Sequence, residues 1–287
     1  MAATVRIGTC SWADEGLVTE WYPRGVSSPE ARLRYYAERF DVVEADSTFY
    51  RLPTPETTAR WAERTPPGFA FLVKASGELT GHRDGAGLEV EVARFRDAVA
   101  PLEAAGKLRG VLLQYHPAVT RTTAAMDALA AMRDLLAPLV PLVEFRHRSW
   151  LEPRAARETL AFLREHGLAF VSVDAPALDA ANVMPRLAAA THPVACVRFH
   201  GRNSATWNVK GARASWQRFD WDYAREELAE WVEPLRGLAG EADEVYALFN
   251  VNRGAQAPRG AALLRGLLDD TGLPATGAAE PEPATLF

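Results

Sequence analysis

The segment LVEFRHRSW, residues 142–150, alternates in kind: Glu144, Arg146 and Arg148 fall on one parity, Val143, Phe145 and His147 on the other. A β-strand sends successive side chains to opposite faces, so this strand has one charged face. Burying charge is costly unless the groups are paired and hydrogen-bonded, so that face is expected to look onto other polar groups across a cavity. The same parity recurs along the chain in Glu44 and Asp46, Lys74, Gln114 and His116, Ser172 and Asp174, Arg198 and His200, and Asn250 and Asn252.

These residue types support a definite chemistry. Carboxylates beside Arg and Lys stay ionised and suit a general base, which makes Glu144, Glu44 and Asp174 catalytic candidates, with His200 able to exchange protons near neutral pH. Arg146, Arg198 and Lys74 are expected to hold a phosphate, a carboxylate or a developing oxyanion. His116, Gln114, Asp46, Tyr50, Arg202 and Asn250 complete the expected substrate-binding set. His116, His200, Glu44, Glu144 and Asp174 are thin for a multinuclear metal cluster, and three nearby cations would repel a divalent ion. The expectation is a site with neither metal nor cofactor.

Such a set needs a scaffold that brings many strand ends together. Eight β-branched runs alternate with helical patterns: 5–12, 42–48, 69–76, 110–116, 142–148, 169–175, 195–201 and 245–252, each expected to be followed by a helix. Ser28-Pro29, Thr54-Pro55 and Glu152-Pro153 put proline at a first helical position, and Gly167 ends a helix. This predicts a single (β/α)8 TIM-like barrel over residues 1–270, with active residues gathered at the strand C-termini. A doubly wound open sheet is the alternative, but GTCSWADEG after the first strand lacks its glycine fingerprint. The opposite parity supplies the apolar layer under the helices: Val43, Phe71, Leu113, Val143, Val171, Val173, Val197 and Ala247 among others. Strands two and five, carrying Glu44 and Glu144, are expected to stand far apart, which disfavours glycosidase chemistry between paired carboxyls.

GTCSW, VVEADSTFYRLP, PPGFAFLVKAS, VEFRHRSW, VRFHGR and FNVNRGAQAP occur in the order in which one family carries them. From residue 7 to about 268 the chain resembles the domain of unknown function 72 family, the YecE-like proteins. The resemblance implies a TIM-like barrel with a polar pocket at the strand C-termini and assigns no reaction. Carried over by motif, it marks Glu44, Thr48, Phe49, Tyr50, Lys74, Glu144, Arg146, His147, Arg198, His200, Gly201 and Asn250. QYHPAV and the Asn250-Val251-Asn252 run depart from the family pattern. The family has been compared, by fold, with endonuclease IV-like barrels that act on DNA phosphodiesters through metal ions.

The whole chain narrows the partners. Its 287 residues are 48% hydrophobic, and no apolar run approaches the roughly 20 residues of a membrane helix, so no membrane partner and a cytoplasmic location are expected. Cys10 and Cys196, the only cysteines, should be unbridged core thiols, because strand eight separates strands one and seven. A net charge of −5 disfavours bulk capture of nucleic acid and leaves a small anionic or phosphate-containing ligand as the expected partner. The segment 197–219 interleaves Arg198, Arg202, Lys210, Arg213 and Arg218 with Trp207, Trp216 and Phe219, a pattern suited to phosphate or to single-stranded nucleic acid. Residues 271–287 are expected to form a disordered tail. Together these features predict a hydrolase or lyase acting on an anionic substrate, a class that includes nucleic-acid-derived molecules, with a non-catalytic anion-binding or scaffold protein as the alternative.

Overall fold

The computed structural model describes residues 2–209 and 217–278. Eight parallel strands close into a barrel: β1 (Val5–Thr9), β2 (Val42–Ala45), β3 (Ala70–Lys74), β4 (Leu108–Gln114), β5 (Pro141–Glu144), β6 (Ala169–Asp174), β7 (Val194–Phe199) and β8 (Glu244–Phe249). They pair in sequence order, with β8 on β1 and closure through Thr9 against Val43. The strand order β7-β8-β1 keeps Cys10 and Cys196 apart, and both are buried free thiols. The strands end earlier than their polar alternation does. Arg146, His200 and Asn250 therefore stand just beyond the last ladder residues, at the mouth.

The helices are α1 (Pro29–Ala37), α2 (Pro55–Glu63), α3 (Leu88–Ala104), α4 (Thr123–Leu136), α5 (Ala156–Glu165), α6 (Arg225–Ala229), α7 (Val232–Glu241) and α8 (Gln256–Asp270). Pro29 and Pro55 occupy first helical turns, where a missing N–H costs nothing, and Ser28 Oγ caps α1 by accepting from Ala31 N. Gly167 follows α5 at φ 63°, the left-handed position that stops a helix. Pro153, by contrast, lies in the turn before α5, and the connection after β6, residues 175–193, contains no helix.

Two apolar layers result. Under the helices, Val43, Phe71, Leu113, Val197 and Phe249 pack with Leu33, Phe95, Leu235 and Leu264. In the lumen, Val42, Leu72, Leu112, Leu142, Cys196 and Leu248 form an apolar floor. Strand β6 reverses the expected parity: Val171 and Val173 belong to the lumen cluster, while Phe170 packs outward. Ser172 and Asp174 therefore face the helix layer. The barrel unit also runs past residue 270. A short strand β9 (Ala275–Thr276) pairs with Val5 and Arg6, and Thr276 Oγ1 donates to Asp41 Oδ2 at 2.6 Å. The remainder of the expected tail, 279–287, lies outside the described residues.

Candidate functional site

Along each site strand the lumen parity changes from apolar to charged toward the C-terminus: Val42 then Glu44, Leu72 then Lys74, Leu112 then Gln114, Leu142 then Glu144, Cys196 then Arg198. Arg198, at 0% exposure, stands at the centre of the charged layer. Its Nε and Nη2 donate to Glu44 Oε2 and Oε1 at 2.8 and 2.7 Å, and its Nη1 donates to Glu144 Oε2 at 2.5 Å. Nη2 also approaches Cys10 Sγ at 3.5 Å. One guanidinium thus joins β2 and β5, strands the sequence reading held far apart.

Glu144 is equally committed. Its Oε1 accepts from Gln114 Nε2 at 2.8 Å, from His200 Nε2 at 3.0 Å and from Arg146 Nη1 at 3.4 Å. Burial alone would raise this carboxyl, but Arg198, His200 and Arg146 outweigh it and hold Glu144 well below the usual carboxylate range. Burial pushes His200 down to about 4, Glu144 opposing the shift and Arg198 adding to it. A neutral imidazole has one N–H, and Glu144 can only accept, so that hydrogen is on Nε2. Nδ1 then accepts from Asn250 Nδ2 at 2.8 Å. Gly201 turns the chain immediately after His200 at φ 81°, and a Cβ there would meet Trp221 Cβ at 2.6 Å.

Above this closed layer lies a more open one. Arg146 keeps 13% side-chain exposure and, among the described residues, only the long hydrogen bond to Glu144, with its guanidinium 5.3 Å from the Trp207 ring centre. Trp207 Nε1 is buried without a hydrogen-bond partner among the described residues. Lys74 Nζ lies 4.6 Å from the Phe49 ring centre and forms no hydrogen bond or ion pair among the described residues. Burial, then the Arg198 charge, pushes its ammonium below the ordinary value. His82 meets Phe49 and His116 edge-on, each at 5.0 Å. Burial and then His116, Lys74, Arg146 and Arg83 press His82 down to about 4, which marks the rim as rich in cations.

Two carboxyls complete the rim. Burial, then Asp14 and Glu44, raise Asp46 well above the usual range. Burial raises Asp14 to about 6, with a Ser11 hydrogen bond opposing and Glu44 adding. Sequence reasoning passed over Asp14, since it lies in the loop after β1 rather than on a strand; its position in SWADEG directly past a strand end was the available signal.

The expected site residues therefore separate. Glu44, Glu144, Arg198, His200, Gln114 and Asn250 do converge, as a hydrogen-bonded layer in which Arg198 has its donors engaged. Arg146, Lys74, Asp46 and the 66%-exposed Tyr50 belong to the rim, with His116 exposed beyond His82. Asp174 and Arg202 are elsewhere. The Asp174 carboxylate accepts from Trp231 Nε1 and Tyr223 Oη, each at 2.7 Å, and from Arg202 Nη2 at 2.7 Å. This buried ion pair ties the end of β6 to the segment after β7 and to the helix layer, outside the lumen. Of the basic, aromatic segment, Arg198 and Arg202 are consumed in these pairs and Arg218 donates to Val209 O, while Lys210, Arg213 and Trp216 lie outside the described residues. Among the described residues no three His, Cys, Asp or Glu side chains are arranged to hold a metal ion, and no helix is long and apolar enough to cross a membrane.

Comparison with known proteins places this architecture. UPF0759 protein YunF of Bacillus subtilis (strain 168) is 29% identical over 271 residues, covering 92% of this chain and 95% of its own length. UPF0759 protein YecE of Escherichia coli (strain K12) is 36% identical over 70 residues, 24% of this chain and 23% of its own. A crystal structure of a DUF72 family protein from Enterococcus faecalis V583 superimposes with a TM-score of 0.84 at 28% identity, covering 93% of this chain and 96% of that one. Another, from Thermotoga maritima MSB8, gives 0.79 at 30% identity over 93% and 99% of the two chains. With residues 6–285 matching the family described as "Protein of unknown function DUF72", this (β/α)8 barrel belongs to that family.

Proposed function

We propose that the barrel mouth binds a small anionic molecule, bearing phosphate or carboxylate, and transforms it by hydrolase or lyase chemistry that uses the chain's own acid and base groups. One observation carries this reading: Lys74 and Arg146 are rim cations whose donors are largely unspent among the described residues, and they share the rim with the protonatable carboxyls Asp14 and Asp46. Trp207 Nε1 beside Arg146, without a hydrogen-bond partner among the described residues, is a further donor for an anionic oxygen. Asp14, raised to about 6, can give and take protons near neutral pH. Glu44, Glu144 and His200 then act from below, holding Arg146 and the rim in place rather than touching substrate. A reducing, cytoplasmic setting is part of this reading and agrees with two free buried thiols.

Calorimetry with inorganic phosphate, followed by turnover assays on anionic metabolites that shift the melting temperature, tests it. Arg146→Ala should weaken phosphate binding by roughly 10- to 100-fold with the fold intact, the scale of one charge-assisted hydrogen bond. Binding that is unchanged in Arg146→Ala sinks the site. Binding without turnover of any hit leaves the non-catalytic anion-binding reading instead.

A further inference from the structure

The chain has 3 lysines against 29 arginines. A cation needed only for charge is therefore usually an arginine here, and the lumen strand position at the end of β3 is an exception. The chemical difference is that a guanidinium stays protonated, whereas an amine can shed its proton and attack carbon. Lys107 shows what a structural lysine looks like in this fold: its Nζ donates to Ala62 O, Thr65 O and Thr65 Oγ1 at 2.6, 2.6 and 3.0 Å. Lys74 has none of this. Its Nζ rests over Phe49 without a hydrogen bond or ion pair among the described residues, close enough to Arg198 and to His82 for the charges to be felt.

We propose that Lys74 is an imine-forming nucleophile and that the substrate class of this mouth is a small anionic aldehyde or ketone, which rests on the anion-binding reading above. The neighbouring groups fit each step. Ala45 pairs with Val73 in the β2–β3 ladder, so Asp46, one residue on, stands beside Lys74 at adjacent strand ends. Neutral Lys74 Nζ attacks the carbonyl carbon; the C–N bond forms, the C=O π pair moves to oxygen, and Asp46 as the carboxylic acid protonates it. The nitrogen of the carbinolamine returns a proton to the Asp46 carboxylate. A second protonation by the Asp46 acid then lets the hydroxyl leave as water, the nitrogen lone pair closes the iminium, and its N–H proton returns to the Asp46 carboxylate to give the imine. The sum is carbonyl plus amine giving imine plus water, with no oxidant or reductant. Arg146 and Trp207 Nε1 hold the anionic group. Burial and the Arg198 charge, which lower the Lys74 ammonium, favour the reactive free amine, and the raised Asp46 carboxyl keeps a proton to give.

Pyridoxal 5′-phosphate, an anionic aldehyde, is the probe. The full chain is mixed with it, the imine is reduced with borohydride, and labelled peptides are quantified by mass spectrometry. Lys74 should be labelled roughly tenfold or more faster than Lys107 and Lys210, as expected of an activated amine. Inorganic phosphate should protect it, Lys74→Arg should lose that adduct, and Asp46→Asn should slow imine formation by roughly tenfold, the scale of one general acid. Labelling of Lys74 no faster than of Lys107 overturns the proposal. If phosphate binds in an Arg146-dependent way while Lys74 stays unlabelled, this inference falls and the anion site stands. If phosphate neither binds nor protects, the anion reading falls and takes the inference with it.

Discussion

Arg198 and Glu44, 154 residues apart in the chain, meet in the lumen through two parallel hydrogen bonds of 2.8 and 2.7 Å with no solvent exposure on either side chain. The remaining Nη1 reaches Glu144 on β5, so a single cation is shared between two carboxyl groups over an apolar floor. Such an arrangement is stable only as a whole, because each member is the counter-charge that makes another's burial tolerable.

Arg198→Ala leaves Glu44 and Glu144 buried without their cation and should destabilise the barrel by about 3–5 kcal/mol. Arg198→Lys should recover less than half of this loss, since an ammonium cannot reproduce the planar fork. Urea denaturation decides the matter, and an Arg198→Ala midpoint equal to the wild type would contradict the lumen geometry.

Asp14 predicts a stability change with a definite sign. Its ordinary value is 3.8 and its folded value about 6, so the folded state holds the proton more tightly. Stability is therefore lost as pH rises through that window, the unfolded chain ionising first. Asp14→Asn removes the effect and should melt progressively higher than the wild type as pH rises from 4 to 6, with a constant advantage above 7. Parallel melting curves for the two proteins across pH would show that Asp14 titrates normally.

His200 gives the opposite dependence. Its imidazole is kept neutral down to about 4 in the fold against an ordinary 6.5, so the unfolded chain takes up a proton first as pH falls and stability declines across that window. Glu144, held below its ordinary 4.5, adds a further loss on the acid side. His200→Gln should flatten the decline between pH 6.5 and 4. An equally steep decline in the variant would assign it to other groups.

Asp174→Asn separates structure from function. The change removes the charge that Arg202 faces and one of the acceptors used by Trp231 Nε1 and Tyr223 Oη. A loss of about 2–3 kcal/mol is expected, the scale for a buried charged hydrogen-bond partner, while phosphate affinity should hold. Reduced phosphate binding in a folded Asp174→Asn protein would bring that carboxylate back into the site.

The sequence by itself determined the barrel and most of the lumen layer. Period-2 contrast was strong where a strand alternates charge with hydrocarbon, as in β5 with Glu144 beside Val143 and Phe145, or β7 with Arg198 between Val197 and Phe199. It failed on β6, AFVSVD, where both faces are buried and Val171, Val173 and Phe170 make the parities nearly alike. There the decision fell to tertiary partners: Trp231 and Tyr223 arrive 57 and 49 residues later and turn Asp174 outward. Tertiary structure also decided which charges are spent. Arg198, Arg146 and Lys74 look equivalent along the chain, yet strand closure carries Glu44 and Glu144 onto Arg198 and leaves Lys74 without a counter-ion within bonding distance among the described residues. Residue type and spacing set which face a side chain takes, but how many of its donors remain free depends on what the other strands bring to the same depth in the barrel.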